Sequence, residues 1–379
     1  MMFKSLSCFL LAALLPFAAI GQEYGKLELK PYQKQWEKGR LTISDFQGRP
    51  PKNTDQQSAL DYQLGYLPEK SYKDDTTIFW LHTYSYMDQY RSWFRTGEKD
   101  ETLLKYNQAV FNLIEVHDRR LQSELYRIRN ISQAKPILNR LSDQLDFEIS
   151  RFAEQTRNGQ DAIGVQQYLV YTENQLLTIP KEEWPPLRRS KISYAVNGGI
   201  GYSASSGDIG RYFRNPMNLV AGVDVGYKKA ALLLNATLGF TETNQAFTRL
   251  QTQYWETNLN SKMTLLEASI GYRVWDKAKL RVQPFAGWSW VEFAANDRIE
   301  VYKENELADH SFSAGLVADY KLRHRINLVP GFLGIREKAE TSFRTRLSFS
   351  PATYAGLRKS NVFTIATTLN FSGRILRIK

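Results

Sequence analysis

The chain has 379 residues, with 50 Lys and Arg against 39 Asp and Glu, a formal net charge of +11, and a single cysteine. That cysteine, Cys8, falls in an N-terminal leader, so disulfides and thiol chemistry are excluded from the mature chain. After Gly21 no apolar run is long enough for a spanning helix, which excludes a helical inner-membrane protein.

Taken in chain order, residues 1–21 read as a secretory signal peptide: Lys4, an apolar stretch from about Cys8 to Leu15, then small Ala19 and Gly21 before Gln22. Residues 22–180 read as a periplasmic α+β domain. Thr76–Met87 is β-branched and aromatic, hence a strand. Asp100–Arg129 places Leu103, Leu104, Asn107, Val110, Phe111, Ile114, Leu121 and Leu125 at helical spacing. A second helix is predicted from about Pro136 to Arg157. Pro180, Pro185 and Pro186 make 181–190 a stiff linker.

From 191 to 379 the pattern is different, with short runs of period two. Leu219, Ala221, Val223, Val225 and Tyr227 oppose Gly222, Asp224 and Gly226. Leu266, Ala268, Ile270, Tyr272 and Val274 oppose Glu267, Ser269 and Arg273, and Phe312, Ala314, Leu316, Ala318 and Tyr320 oppose Ser313, Gly315, Asp319 and Lys321. Unbroken apolar faces with charge behind them fit a closed transmembrane barrel, lipid outside and a polar lumen within. Strands are predicted near 191–203, 218–228, 230–241, 262–275, 278–292, 309–322, 340–350 and 361–372, antiparallel and eight in number. The run INLVPGFLGI within His324–Lys338 fits a further strand or a periplasmic cover, which leaves ten strands as the alternative. Short turns alternating with long connections put the first strand running outward and the preceding domain in the periplasm of a Gram-negative-type cell. Trp275, Trp288, Trp290, Tyr227 and Tyr320 are expected at the membrane interfaces.

Asp224, Glu267 and Asp319, with Arg273, Arg344 and Arg346, are expected to fill the lumen as ion pairs, the alternative being a narrow pore. The segment 191–379 carries 25 basic and 15 acidic residues while 22–190 is balanced. The excess is scattered without a stripe, so nucleic acid is not expected as a partner and lipid phosphates are.

The first domain also carries an ordered set of short motifs: Leu41-Thr42-Ile43-Ser44-Asp45-Phe46-Gln47-Gly48-Arg49-Pro50, then Ser92-Trp93, then Leu103-Leu104 continuing to Phe111, Glu115 and Arg119-Arg120, and Thr156-Arg157-Asn158-Gly159. Across about 40–170 this order resembles a family of secreted bacterial zinc-dependent proteases, first catalogued as a domain of unknown function. The resemblance implies a zincin-like fold whose His-Glu-x-x-His helix holds the metal. Two His at i and i+4 share one face toward zinc, with the Glu as base for the bound water. Here Tyr106, Asn107 and Val110 stand at those three positions, and Asn158 stands where a further family His would lie. Phenol, amide and isopropyl groups do not replace imidazoles on Zn²⁺, so the resemblance implies a degenerate site with no metal, no cofactor and no catalytic residue. Glu115 and His117 lie two apart on the helix and are expected to be solvated. His82, His310 and His324 are too far away in sequence, or in the other domain, to rebuild a site.

The reading is a non-catalytic outer-membrane protein whose periplasmic domain binds another envelope protein or an envelope polymer. Tyr106, Asn107, Val110, Glu115 and Asn158 are expected to line a remnant cleft flanked by the 76–87 strand, where an extended peptide could add to the strand edge. An active peptidase with an atypical metal set, and a narrow channel or surface-ligand-binding barrel, are the alternatives.

Overall fold

The computed structural model describes residues 28–378 except 55, 74, 96–99, 182–184, 186, 296–301, 303 and 332–333. The leader, 1–21, lies outside the described residues. The long elements are β1 (Tyr62–Lys73), β2 (Thr76–Asp88), α1 (Asp100–Leu125), α2 (Ala134–Gln155), α3 (Ala162–Thr178) and eight further strands. These are β3 (Leu187–Ser206), β4 (Met217–Tyr227), β5 (Ala230–Glu242), β6 (Asn260–Tyr272), β7 (Leu280–Ala295), β8 (Glu306–Asn327), β9 (Arg336–Ala352) and β10 (Ser360–Ile378).

Strands β3 to β10 pair antiparallel in sequence order, and β10 returns to β3 through Ile365↔Tyr202 and Phe371↔Val196, which closes the ring. Closure requires close strand approach. At Gly199 a Cβ would collide with the Thr367 carbonyl of β10, so only glycine fits that inward position. The alternation of the sequence maps directly onto the two sides of the wall. Leu219, Val223, Val225, Leu232, Leu234, Leu238 and Phe240 are exposed outside, whereas Asn218, Asp224, Asn235 and Thr237 are buried inside. From Tyr227 to Met217 the chain rises about 25 Å along the barrel axis, taking ~3.3 Å per residue and a tilt of ~40°. That is the height of a hydrocarbon core. No helix among the described residues is long and apolar enough to cross a membrane.

Among the described residues the stretch after β8 adds no strand to the ring: β8 itself runs to Asn327 and β9 begins at Arg336. The linker also ends earlier than expected, because β3 begins at Leu187 and absorbs 187–190. Of the interface aromatics, Tyr227, Trp275 and Tyr320 stand at the turn end, but Trp288 pairs with Ala268 and Phe312 near mid-height and is exposed there.

In the first domain α1 is surrounded by α2, α3 and β2, and its middle is buried on every side. Its polar side chains therefore act as internal struts. Gln108 Oε1 accepts from Leu41 N at 2.8 Å, Asn112 Oδ1 accepts from Trp36 Nε1 at 2.9 Å, and Gln122 takes Thr83 N at 3.0 Å while donating to Leu81 O at 3.0 Å. Buried amides are tolerated because each finds a partner. Helix α3 has no counterpart in the sequence reading. Its apolar residues lie all round the axis, with Val165, Leu169 and Leu176 buried and Ile163, Val170, Tyr171 and Leu177 exposed, so no single stripe marks it.

The two parts are joined by more than the chain. Residues 76–79 of β2 pair parallel with 324–327 of β8, so the sheet of the first domain continues into the barrel wall. Leu328 N donates to Phe79 O at 2.8 Å, and Ile78, Trp80, Tyr126 and Leu328 form a buried cluster with Leu187, Ile326 and Ile378 against it. Arg336 fastens the corner, donating to Leu328 O at 2.9 Å and Ile128 O at 2.6 Å.

Candidate functional site

The barrel interior has three layers. At the loop end, where 207–216, 243–259 and 353–359 converge, inward side chains and loop residues build an apolar plug that includes Phe213, Phe247, Trp255, Met263, Phe293 and Tyr354. Phe213 meets Trp255 edge-on with ring centroids 5.3 Å apart. Trp255 and Met263 are fully buried.

Below the plug lies a charged layer. Arg344 Nη1 donates to Asp224 Oδ2 at 2.7 Å and Arg344 Nε to Asp319 Oδ1 at 2.7 Å, all three side chains being buried. Arg346 is paired with Glu267 at 3.1 Å and stands 3.9 Å over the Phe285 ring, while Ser313 Oγ donates to Glu267 at 2.5 Å. Burial favours such pairing because a lone charge there would face a large desolvation cost. The expected lumen residues thus meet, except that Arg273 reaches no carboxylate among the described residues. It donates to Ser193 Oγ at 2.9 Å and Lys228 O at 3.3 Å instead.

At the turn end the lumen opens into a polar vestibule of about 470 Å³. Eight Lys and Arg side chains line it against three carboxylates, Asp224, Asp276 and Glu340. Glu340 alone answers four groups: Arg281, Lys338 at 3.7 Å, His324 at 3.6 Å and Lys321 at 3.9 Å. Lys321 Nζ also reaches Asp276 at 2.5 Å. Sequence reasoning missed this concentration. The available signal was parity: Arg281, Lys321 and Glu340 share the inward register of Gln283, Asp319 and Ser342.

In the first domain the structure corrects the expected cleft. Tyr106, Asn107, Val110 and Glu115 are buried core residues and only Asn158 is exposed. The space is filled by a stack in which Tyr106 lies 4.8 Å from Phe152 and Phe152 lies 4.0 Å from Tyr168. Asn107 donates to Ser58 Oγ at 2.7 Å and Leu103 O at 2.8 Å. Burial pushes the Tyr106 phenol up to about 12. Edge addition at β2 is also hindered, because β1 covers one side, 33–34 and 324–327 pair with the two ends of the other, and Gln122 bonds Thr83 N and Leu81 O between them. Asn158 does come near the helix: Arg157, Asn158 and Gly159 turn through left-handed conformations, and Gly159 packs so closely on the Tyr106 ring that a Cβ would meet its Cγ at 2.9 Å.

Glu115 and His117 are not solvated either. Burial raises the Glu115 carboxyl while Arg119, donating at 2.8 Å, opposes the shift. His117 is fully buried, its Nδ1 3.0 Å from Leu113 O, and burial lowers its imidazole. Asp118, beside Ser85 at 3.4 Å, is pushed up to about 7 by burial. Among the described residues no three His, Cys, Asp or Glu side chains gather as a metal-ligand set.

No protein-family model matches the chain, and no curated protein matches it. Solved structures do. The attachment invasion locus protein Ail of Yersinia pestis, bound to a heparin analogue, is similar at 8% identity and a TM-score of 0.30, over 48% of this chain and 99% of that one. Neisserial surface protein A is similar at 9% identity and 0.29, over 50% and 98%. The outer membrane protein OprG of Pseudomonas aeruginosa is similar at 11% identity and 0.28, over 51% and 98%.

Proposed function

We propose that the protein is a non-catalytic, non-conducting outer-membrane barrel that presents its first domain to an envelope partner at the periplasmic face. Membrane insertion is supported by the exposed apolar belt of β4 and β5, a surface too large and continuous for water. Orientation is supported by connection length: the two-residue turn 228–229 lies at the end that carries the first domain, and the long connections 207–216 and 243–259 lie opposite. A non-conducting lumen is supported by the apolar plug above the Arg344 and Arg346 pairs.

The observation that carries the binding role is the outer face of α3. Ile163, Val170 and Leu177 recur every seven residues and are 73%, 46% and 82% exposed. Residues seven apart share one side of a helix, and an exposed apolar row there is a surface on which a partner helix or protein can pack. The family resemblance enters at one further point. The positions it pairs, Tyr106 and the 156–159 turn, are neighbours in space, and both are given over to packing. That supports a protease-like shell without its chemistry.

Affinity isolation from mild detergent tests the reading, comparing the native chain with V170E/L177E. A partner retained by the native chain and lost from the folded variant is the expected result. Isolation of the native chain alone in every detergent counts against it, as does peptidase activity abolished by a chelator. The packed loop end favours a second reading, a barrel that binds a ligand at the cell surface. Alteration of the loops 243–259, with the first domain intact, would then remove binding.

A further inference from the structure

The vestibule holds more positive charge than the fold uses. Arg344 and Arg281 are engaged with carboxylates, and Lys321 with Asp276. Arg189, Arg273, Lys277 and Arg374 line the same cavity, and among the described residues none of the four has a carboxylate within ion-pair distance. The Arg273 Nε is buried with no hydrogen-bond partner. Arg281 and Arg374 stand near enough to repel its charge, with Asp276 and Asp224 attracting it from beyond ion-pair distance. Cations crowded between low-dielectric walls raise the local potential and concentrate counter-ions. A fold that needed only neutrality would not assemble them.

We propose that this vestibule is a binding site for a small, multiply charged phosphate-bearing anion entering from the turn end. Three features select that chemistry. Guanidinium forks match phosphate oxygens in pairs, and three of the vestibule's guanidiniums, Arg189, Arg273 and Arg374, have no carboxylate partner among the described residues, Arg273 being held by the neutral Ser193 Oγ and Lys228 O. A cavity of about 470 Å³ has room for a diphosphate or a sugar phosphate and excludes a folded polymer. Access exists because Lys277 is exposed at the rim and Lys338 partly so. The site depends on the barrel and is independent of any partner on α3.

The full chain, folded in non-ionic detergent, is titrated calorimetrically with inorganic pyrophosphate at low and at high salt. A single saturable site that weakens with salt is expected. R273Q/R374Q, which breaks no ion pair, should weaken binding about tenfold or more. K359Q, in the 353–359 loop at the opposite end, should leave it unchanged. Should the double variant misfold, pyrophosphate must instead shield K277C from a thiol reagent. Absence of saturable binding, equal loss in K359Q, or no shielding of K277C overturns the proposal. So does competition by a diacyl anionic lipid, whose chains do not fit the lumen and which would place the anion site on the membrane surface.

Discussion

Arg344 is the side chain whose removal should damage the barrel most. Its guanidinium holds two buried carboxylates at 2.7 Å each, with Asp319 1% and Asp224 8% exposed at the side chain. At such separations and an effective dielectric near 20, each pair contributes several kcal/mol of Coulomb attraction, on the order of 4 kcal/mol. R344M keeps much of the volume but strands both acids. Asp319 retains only Arg281, at 3.5 Å, and Asp224 retains no cation within 4.0 Å among the described residues. Breaking one partner of a buried pair costs about 3–5 kcal/mol, whereas replacing all members by neutral groups is often nearly neutral. R344M should therefore lose about 3–5 kcal/mol in equilibrium denaturant unfolding, followed by the heat-modifiable mobility of the folded barrel. The triple variant R344M/D224N/D319N should recover most of that loss. A single variant as stable as the native chain, or a triple variant no better than the single, would refute the view that the lumen is organised by charge.

V223R on the outer wall should cost about 2–4 kcal/mol when the chain is folded into vesicles; unchanged folding yield would argue against lipid at that face. Asp118 predicts a pH response. Its folded value near 7 exceeds the ordinary 3.8, so folding takes up a proton and stability falls as pH rises through that window. The loss is at most about 4 kcal/mol. Helical ellipticity in the far ultraviolet reports the first domain, and D118N should flatten the change in its melting between about pH 4 and about pH 7; identical pH slopes in the two proteins would dismiss the effect. Docking of the domains is tested by T77C/R325C, a pair in direct register across the β2–β8 ladder. A short bismaleimide should join them in the folded chain, and failure to crosslink would mean that the parts separate in solution.

What the sequence revealed follows from which interactions leave a side-chain period. Lipid on one side and a crowded lumen on the other impose strict alternation, so Val223 against Asp224, and Ile270 against Ser269, disclose both the strand and its faces. Helix α1 was legible in outline because Leu103, Val110, Phe111, Ile114 and Leu121 keep helical spacing. Its full burial was not, since Glu115 and His117 read as solvated until α2, α3 and β2 close around the helix. Position along the helix gives no measure of what packs on top. Helix α3 escaped for the converse reason, its exposed apolar residues disguising its buried ones.

The junction between the parts illustrates the deeper limit. Thr76, Thr77, Ile78 and Phe79 meet His324, Arg325, Ile326 and Asn327 through main-chain hydrogen bonds, and a backbone ladder is indifferent to side-chain identity. Only the apolar contacts around it, Ile78 and Trp80 on Leu328 and Ile326, carry information about the partner. Those residues are equally suited to an ordinary domain core. A Pro-rich segment before the barrel suggested a spacer, yet a spacer is needed only if the parts move independently. Here β2 extends the wall it adjoins and Arg336 ties both sides of the corner. The first domain is thereby oriented by the barrel itself, so the α3 stripe and the mouth of the vestibule are held in a fixed relation to the membrane plane.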